Sequence, residues 1–134
     1  MEKDFKKWHK KKSNLDKIQK RPFFHEREIW YVYVGTNVGF EQDGEGEDFL
    51  RPVVIIRKFN NEILWAVPLT KSHKILNQIT RKYYFQFSFL NSVNSRAILS
   101  QIRLIDARRL SYKIGEISES DFRTLIEKLK ELFP

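Results

Sequence analysis

Arg51 is the residue whose type and setting most directly imply chemistry. A guanidinium is planar, charged at any ordinary pH, and presents five N–H donors in a fixed fork, which matches phosphate or carboxylate. It stands between two contrasting stretches. Ahead of it, residues 39–50 hold glycines and the carboxylates Glu41, Asp43, Glu45, Glu47 and Asp48; behind it come Pro52 and the β-branched run Val53, Val54, Ile55, Ile56. An uninterrupted apolar run of that kind predicts a central strand covered on both faces. Pro52 has no N–H for a ladder, so it belongs at the strand's first position, and it holds Arg51 extended. The cation therefore sits at the mouth of a rigid strand, where it either binds an external anion or pairs with a loop carboxylate such as Glu47 or Asp48.

Thr70 closes the next such run, Val67-Pro68-Leu69-Thr70, and its hydroxyl can donate a hydrogen bond there; taken by itself it simply ends a strand. Of the three scattered histidines, His73 alone follows that strand end. Several chemistries lack their parts. There is no cysteine, hence no disulfide, thiolate zinc site or cysteine nucleophile, which fits a reducing compartment and makes cytoplasm the expected location. Paired His/Cys ligands, a glycine-rich phosphate loop with its lysine, and a serine elbow are missing. The acidic loop lacks the alternating ligands and twelfth-position Glu of an EF-hand, so neither metal nor cofactor is expected.

The elements that must carry these residues can be read from periodicity. Alternation predicts a first strand over 28–34, with Ile29 and Tyr31 facing one way and Trp30 and Val32 the other. A loop over 35–50 follows, long enough to be functional or disordered. The second and third strands run over 51–59 and 62–70, joined at Asn60-Asn61 because asparagine tolerates positive φ. Residues 83–89 alternate Tyr83, Phe85, Phe87, Phe89 with Tyr84, Gln86, Ser88, predicting a half-buried strand whose phenylalanine face packs in the core, the alternative for this aromatic ladder being to stack bases. A turn is expected over 91–96, an extended segment over 97–106 and a short continuation over 108–112. Ser118 and Asp121 form a capping box ahead of Phe122, Leu125, Ile126 and Leu129, which predicts a C-terminal helix. Short antiparallel strands closed by one helix make a strongly curved sheet or barrel, α+β by class.

The 134 residues suit one core, and their net charge of +8 is uneven. Residues 1–27 hold ten Lys or Arg against four Asp or Glu, whereas residues 28–134 hold fifteen against thirteen. The chain divides accordingly into a basic extension, helical over 5–18 with Phe5, Trp8, Leu15 and Ile18 on one face, and a nearly balanced body over 28–134. Such an arm either contacts a polyanion or keeps the protein soluble. Phe23 and Phe24 are placed to pin it down. No apolar run reaches the roughly 20 residues of a membrane span, so no membrane partner is expected.

Five motifs stand in one order: Gly39-Phe40-Glu41-Gln42; Arg51-Pro52-Val53; Val67-Pro68-Leu69-Thr70; Ser100-Gln101-Ile102-Arg103-Leu104-Ile105-Asp106; and Arg109-Leu110 with Ile114-Gly115. Together, over about residues 28–133, this set resembles the MazF/PemK toxin ribonucleases of type II toxin–antitoxin systems. The resemblance implies a small Src-homology-3-like antiparallel β-barrel with a C-terminal α-helix, acting as a homodimer that cuts single-stranded RNA without a metal and is neutralised by an antitoxin with an acidic tail. It assigns catalysis to Arg51, Thr70 and Glu41 and RNA contacts to Gln42, Lys71 and His73, leaving Arg103 and Arg109 to structure or the dimer. Ser100 departs from the family, some of whose members have an acidic residue there, and the 43–48 insertion enlarges the loop. On the same barrel, the alternative is a non-catalytic nucleic-acid binder or gyrase-directed growth inhibitor; a further one is a regulatory protein recruiting partners through its acidic loop and basic arm.

Overall fold

The computed structural model describes residues 22–33, 50–71, 76–90 and 93–134. The β-branched and aromatic runs form seven strands: β1 Glu28–Tyr33, β2 Leu50–Lys58, β3 Ile63–Thr70, β4 Tyr84–Phe89, β5 Val93–Ile98, β6 Arg103–Asp106 and β7 Leu110–Glu116. All pairings are antiparallel, in the order β4-β5-β3-β2-β1-β7, with β6 also on β3. The helix α1, Glu119–Lys130, follows. The expected helix over 5–18 and residues 35–49 of the expected loop over 35–50 lie outside the described residues, and Leu50 opens β2.

β3 is the strand on which the barrel turns. One edge pairs with β2 over Leu64 to Pro68, with a register shift between Ile55 and Arg57; the other pairs with β6 over Ile63 to Ala66 and with β5 at Leu69 and Thr70. Between those segments sits Pro68, which has no N–H to give, so the interruption costs no backbone donor there. The 3₁₀ turn Leu99–Gln101 carries the chain from β5 to β6 across this corner. That corner corrects the expected single segment over 97–106. Of the expected turn over 91–96, residues 91–92 lie outside the described residues and the rest is strand: Asn94 and Arg96 lie opposite Ser88 and Gln86, and the Ser88 hydroxyl donates to Asn94 Oδ1 at 2.6 Å. Polar composition there marks a wet face of a hairpin rather than a break in it. The continuation expected over 108–112 is a 3₁₀ turn, Ala107–Arg109, followed by a longer strand.

Side-chain alternation splits the core in two. Val54 and Ile56 join Ile29, Val67, Leu69, Phe87, Phe89, Leu125 and Leu129 beneath α1. Val53 and Ile55 join Trp30, Val32, Leu64, Ile105 and Leu110 on the other face. β2 is thus covered on both sides, as its unbroken apolar run requires. Phe24 is fully buried in the second cluster and anchors the incoming segment, whereas Phe23 is 82% exposed. Ser118 caps α1 by accepting from the Asp121 amide at 3.1 Å. Asn60 shapes its turn differently from expectation: positive φ among non-glycine described residues occurs at Arg27 and Leu90, while Asn60 Oδ1 accepts from the Glu62 and Ile63 amides at 2.7 and 3.0 Å. The asparagine acts through its side chain. Arg27, at φ 76, spends its backbone on two elements, donating to Ile55 O and accepting from Ile117 N.

Candidate functional site

β2 pairs with β3 as far as Val53↔Pro68, and by alternation Arg51 and Thr70, each two residues beyond that pair, project to the side of Val53 and Pro68. On the other side of β3, Thr70 pairs with Arg96 of β5, and Arg96 pairs with Gln86 of β4. Directly opposed residues in antiparallel strands project to the same side. Arg51, Thr70, Arg96 and Gln86 therefore form one polar row across four strands. Continued through β1 and β7 the row becomes apolar, with Val32 opposite Arg51 and Leu110 opposite Val32, both buried. Arg51 stands where the row changes character.

The guanidinium is held firmly. Arg51 is 7% exposed, and its Nη2 donates to the carbonyl of Leu69 at 3.1 Å, so it reaches across to the last turn of chain before Thr70. An anchor on a main-chain carbonyl fixes the plane of the fork without neutralising its charge. At the same end of the barrel Arg109 Nη1 donates to Tyr33 O at 3.4 Å, tying the 3₁₀ turn before β7 to the end of β1. That contact gives Arg109 a structural task.

Thr70 is half-buried at the end of β3. It and the exposed Lys71 border a cavity of about 230 Å³ whose walls include Tyr31, Pro52, Phe89 and Ile114. Gly115 shapes this wall: a Cβ there would meet Phe89 Cδ2 at 2.9 Å and Leu90 Cγ at 3.2 Å. The structure thus brings Arg51, Thr70 and Lys71 to one end of the barrel. Glu41, Gln42 and His73, the other residues expected at the site, lie outside the described residues. Arg96, Gln86 and the cavity-lining Tyr31 were not anticipated, whereas Phe89 belongs to the aromatic ladder expected in the core. The signal for Arg96 was the polar alternation Asn94, Arg96 opposite Ser88, Gln86, which reads as strand once the two segments are paired.

Among the described residues a second buried charge lies at the far end of β1. Glu28 Oε1 accepts from the His25 amide at 2.8 Å and Trp30 Nε1 at 3.0 Å, and Oε2 lies 3.3 Å from Lys113 Nζ. Burial pushes this carboxyl up, but the bonds from Trp30, His25 and Lys113, with the lysine's charge, together hold it below its ordinary value. No helix among the described residues is long and apolar enough to cross a membrane.

A curved antiparallel sheet closed by one helix, with a cation anchored at a strand mouth beside a threonine, defines a small barrel domain with a polar groove. Residues 25–133 match the PemK-like, MazF-like toxins of type II toxin–antitoxin systems, and the chain belongs to that family. The fold is also that of solved toxins: MazF (Form-I) from Deinococcus radiodurans, 16% identical with TM-score 0.61 over 85% of this chain and 97% of that one. Mycobacterium tuberculosis toxin MazF-mt6 is 18% identical, with TM-score 0.56 over 78% and 94% of the two chains. An endoribonuclease in complex with its cognate antitoxin from Mycobacterial species is 12% identical, with TM-score 0.55 over 84% and 100%. Comparison with curated protein sequences gives no match.

Proposed function

We propose that this toxin is an endoribonuclease that cleaves single-stranded RNA by attack of the 2′-OH on the adjacent phosphorus. The nucleophile belongs to the substrate, so the reaction needs no metal: the 2′-OH gives up its proton, its oxygen bonds to phosphorus, and the bond to the departing 5′ oxygen breaks as that oxygen takes a proton. The protein's work is to assist the two proton transfers and to offset charge on the phosphorane. The observation that carries this reading is the cross-strand placement of Arg51 and Thr70, with the guanidinium tied to Leu69 O. Arg51 stabilises the phosphorane electrostatically; its own pKa is too high for efficient proton transfer. Thr70 donates to a nonbridging oxygen, and Glu41 is the base, delivered by its loop. Gln42, Lys71 and His73 contact the RNA on either side.

Family membership supports a cognate antitoxin whose acidic tail competes with RNA for the same groove, and a homodimer as the working form. One solved neighbour is an endoribonuclease with its antitoxin bound, which is in keeping with that partner. The test is incubation of the purified protein with a long RNA in the presence of EDTA, beside Arg51→Ala and Thr70→Ala. Wild type cleaves; Arg51→Ala loses about a hundred- to thousandfold and Thr70→Ala about tenfold. Equal cleavage by all three rejects these residues, and an intact RNA with wild type rejects the enzyme.

A further inference from the structure

The polar row does not stop at Thr70. It passes Arg96 and Gln86 and reaches a hollow of about 410 Å³ at β4, lined by Arg81, Tyr84, Gln86, Arg96 and Lys128. β4 ends the order of paired strands, so this hollow wraps a sheet edge: Arg81 comes from the 3₁₀ turn before β4, Arg96 from β5, and Lys128 from α1. Three elements thus contribute one cation each among the described residues that line the space. Arg51 to Gln86 spans three strand spacings, about 14 Å.

We propose that the hollow is a second RNA subsite, holding the strand several nucleotides from the cleaved bond. This rests on the ribonuclease reading. The backbone leaves Thr70 along the row, its phosphates meet Arg96 and then Arg81 and Lys128, and the half-buried ring of Tyr84 offers a face on which a base can stack. Stacking makes the subsite tolerant of sequence, because every base has a π face. An acidic peptide would satisfy the cations as well, but its carboxylates have no use for the ring of Tyr84, on which a base stacks.

The experiment uses two RNAs carrying a 2′-deoxy nucleotide at the cleaved step, so that binding is read without turnover. One spans only that step, about four nucleotides, and the other about twelve. Fluorescence anisotropy across a salt series gives affinity and its salt slope. Arg81→Gln combined with Lys128→Gln weakens the longer RNA about tenfold and lowers its slope by about 1.4, two phosphate contacts of a single strand. The shorter RNA loses less than twofold. Lys130→Gln, on the same helix but outside the hollow, does not reproduce this length dependence. Equal loss on both RNAs, or none on the longer one, overturns the subsite while leaving the ribonuclease reading intact if wild type still cuts the all-ribose RNA. A wild type that leaves the all-ribose RNA intact removes both. Loss of binding to an acidic peptide with RNA binding unchanged assigns the hollow to a protein partner and overturns the proposal.

Discussion

Arg51 and Glu28 are equally buried, each 7% exposed, and sit toward opposite ends of the paired strands β1 and β2. Their surroundings differ. Glu28 receives bonds from the His25 amide and the Trp30 indole and is faced by the Lys113 ammonium, so its charge is answered locally and its geometry staples the entering chain to β1 and β7. Arg51 donates to a carbonyl and stands at the start of a row of polar side chains leading to open surface. Burial of a charge is therefore no guide to function in this barrel. What separates the two is whether the row beyond the charge leads anywhere.

The comparison breaks first at Arg51→Lys. Lysine keeps the charge but not the planar fork, and it cannot hold Leu69 O while presenting a second donor face. Cleavage of a long RNA should fall about a hundredfold with the circular dichroism spectrum unchanged. A variant that cuts as wild type would show that charge alone suffices, and the anchoring geometry would lose its meaning.

Glu28→Gln should do the reverse, leaving cleavage per folded molecule unchanged while lowering unfolding stability by about 1–3 kcal/mol in urea titrations. The pH dependence has a definite sign. Because the folded carboxyl lies below its ordinary value of 4.5, its contribution is complete above that value and is lost as pH falls through the lowered folded pKa. Acid unfolding of wild type is thus steeper than that of Glu28→Gln, and superimposable acid limbs would dismiss the network as a source of stability.

Gly115→Ala probes the two ends at once. Gly115 pairs with Ile29, the neighbour of Glu28, yet its added methyl would press on Phe89, a wall of the cavity beside Thr70. Overpacking should cost about 1–2 kcal/mol, and the displaced ring should raise KM for RNA more than it lowers kcat. An unchanged KM would separate that cavity from substrate binding.

Much of this was written in the chain in local terms. The run Val53 to Ile56 specified a strand buried on both faces, and Ser118 with Asp121 specified the helix start, because each signal is a spacing within a few residues. Arg51 was legible as a candidate for the same reason, whereas Thr70 became one only through the resemblance that the ordered motifs carry. Their common face was not legible, since it depends on the register between β2 and β3. Arg96 was hidden further, in residues whose polarity resembles a turn until β4 lies alongside. Nor did Glu28 announce itself: a carboxylate at a strand start has no signature until Trp30, His25 and Lys113 converge on it.

Lys113→Met is the smallest of these changes and the one that tests why Glu28 is tolerated. Lys113 is exposed and bridges two carboxylates, Glu116 at 2.9 Å and Glu28 at 3.3 Å, bonds that raise its own pKa, that to Glu116 first. Its contribution is whole below the ordinary lysine value and fades as pH rises through the higher folded one, so the variant should flatten the alkaline limb of stability. At acid pH it should shift the unfolding midpoint less than Glu28→Gln does, because the Trp30 and His25 bonds remain and the Lys113 end of the pair is screened by solvent. Thermal unfolding of the two variants across pH measures this. If Lys113→Met matched Glu28→Gln on the acid side, Glu28 would be held by its counter-charge rather than by its donors, unlike Arg51 on its carbonyl.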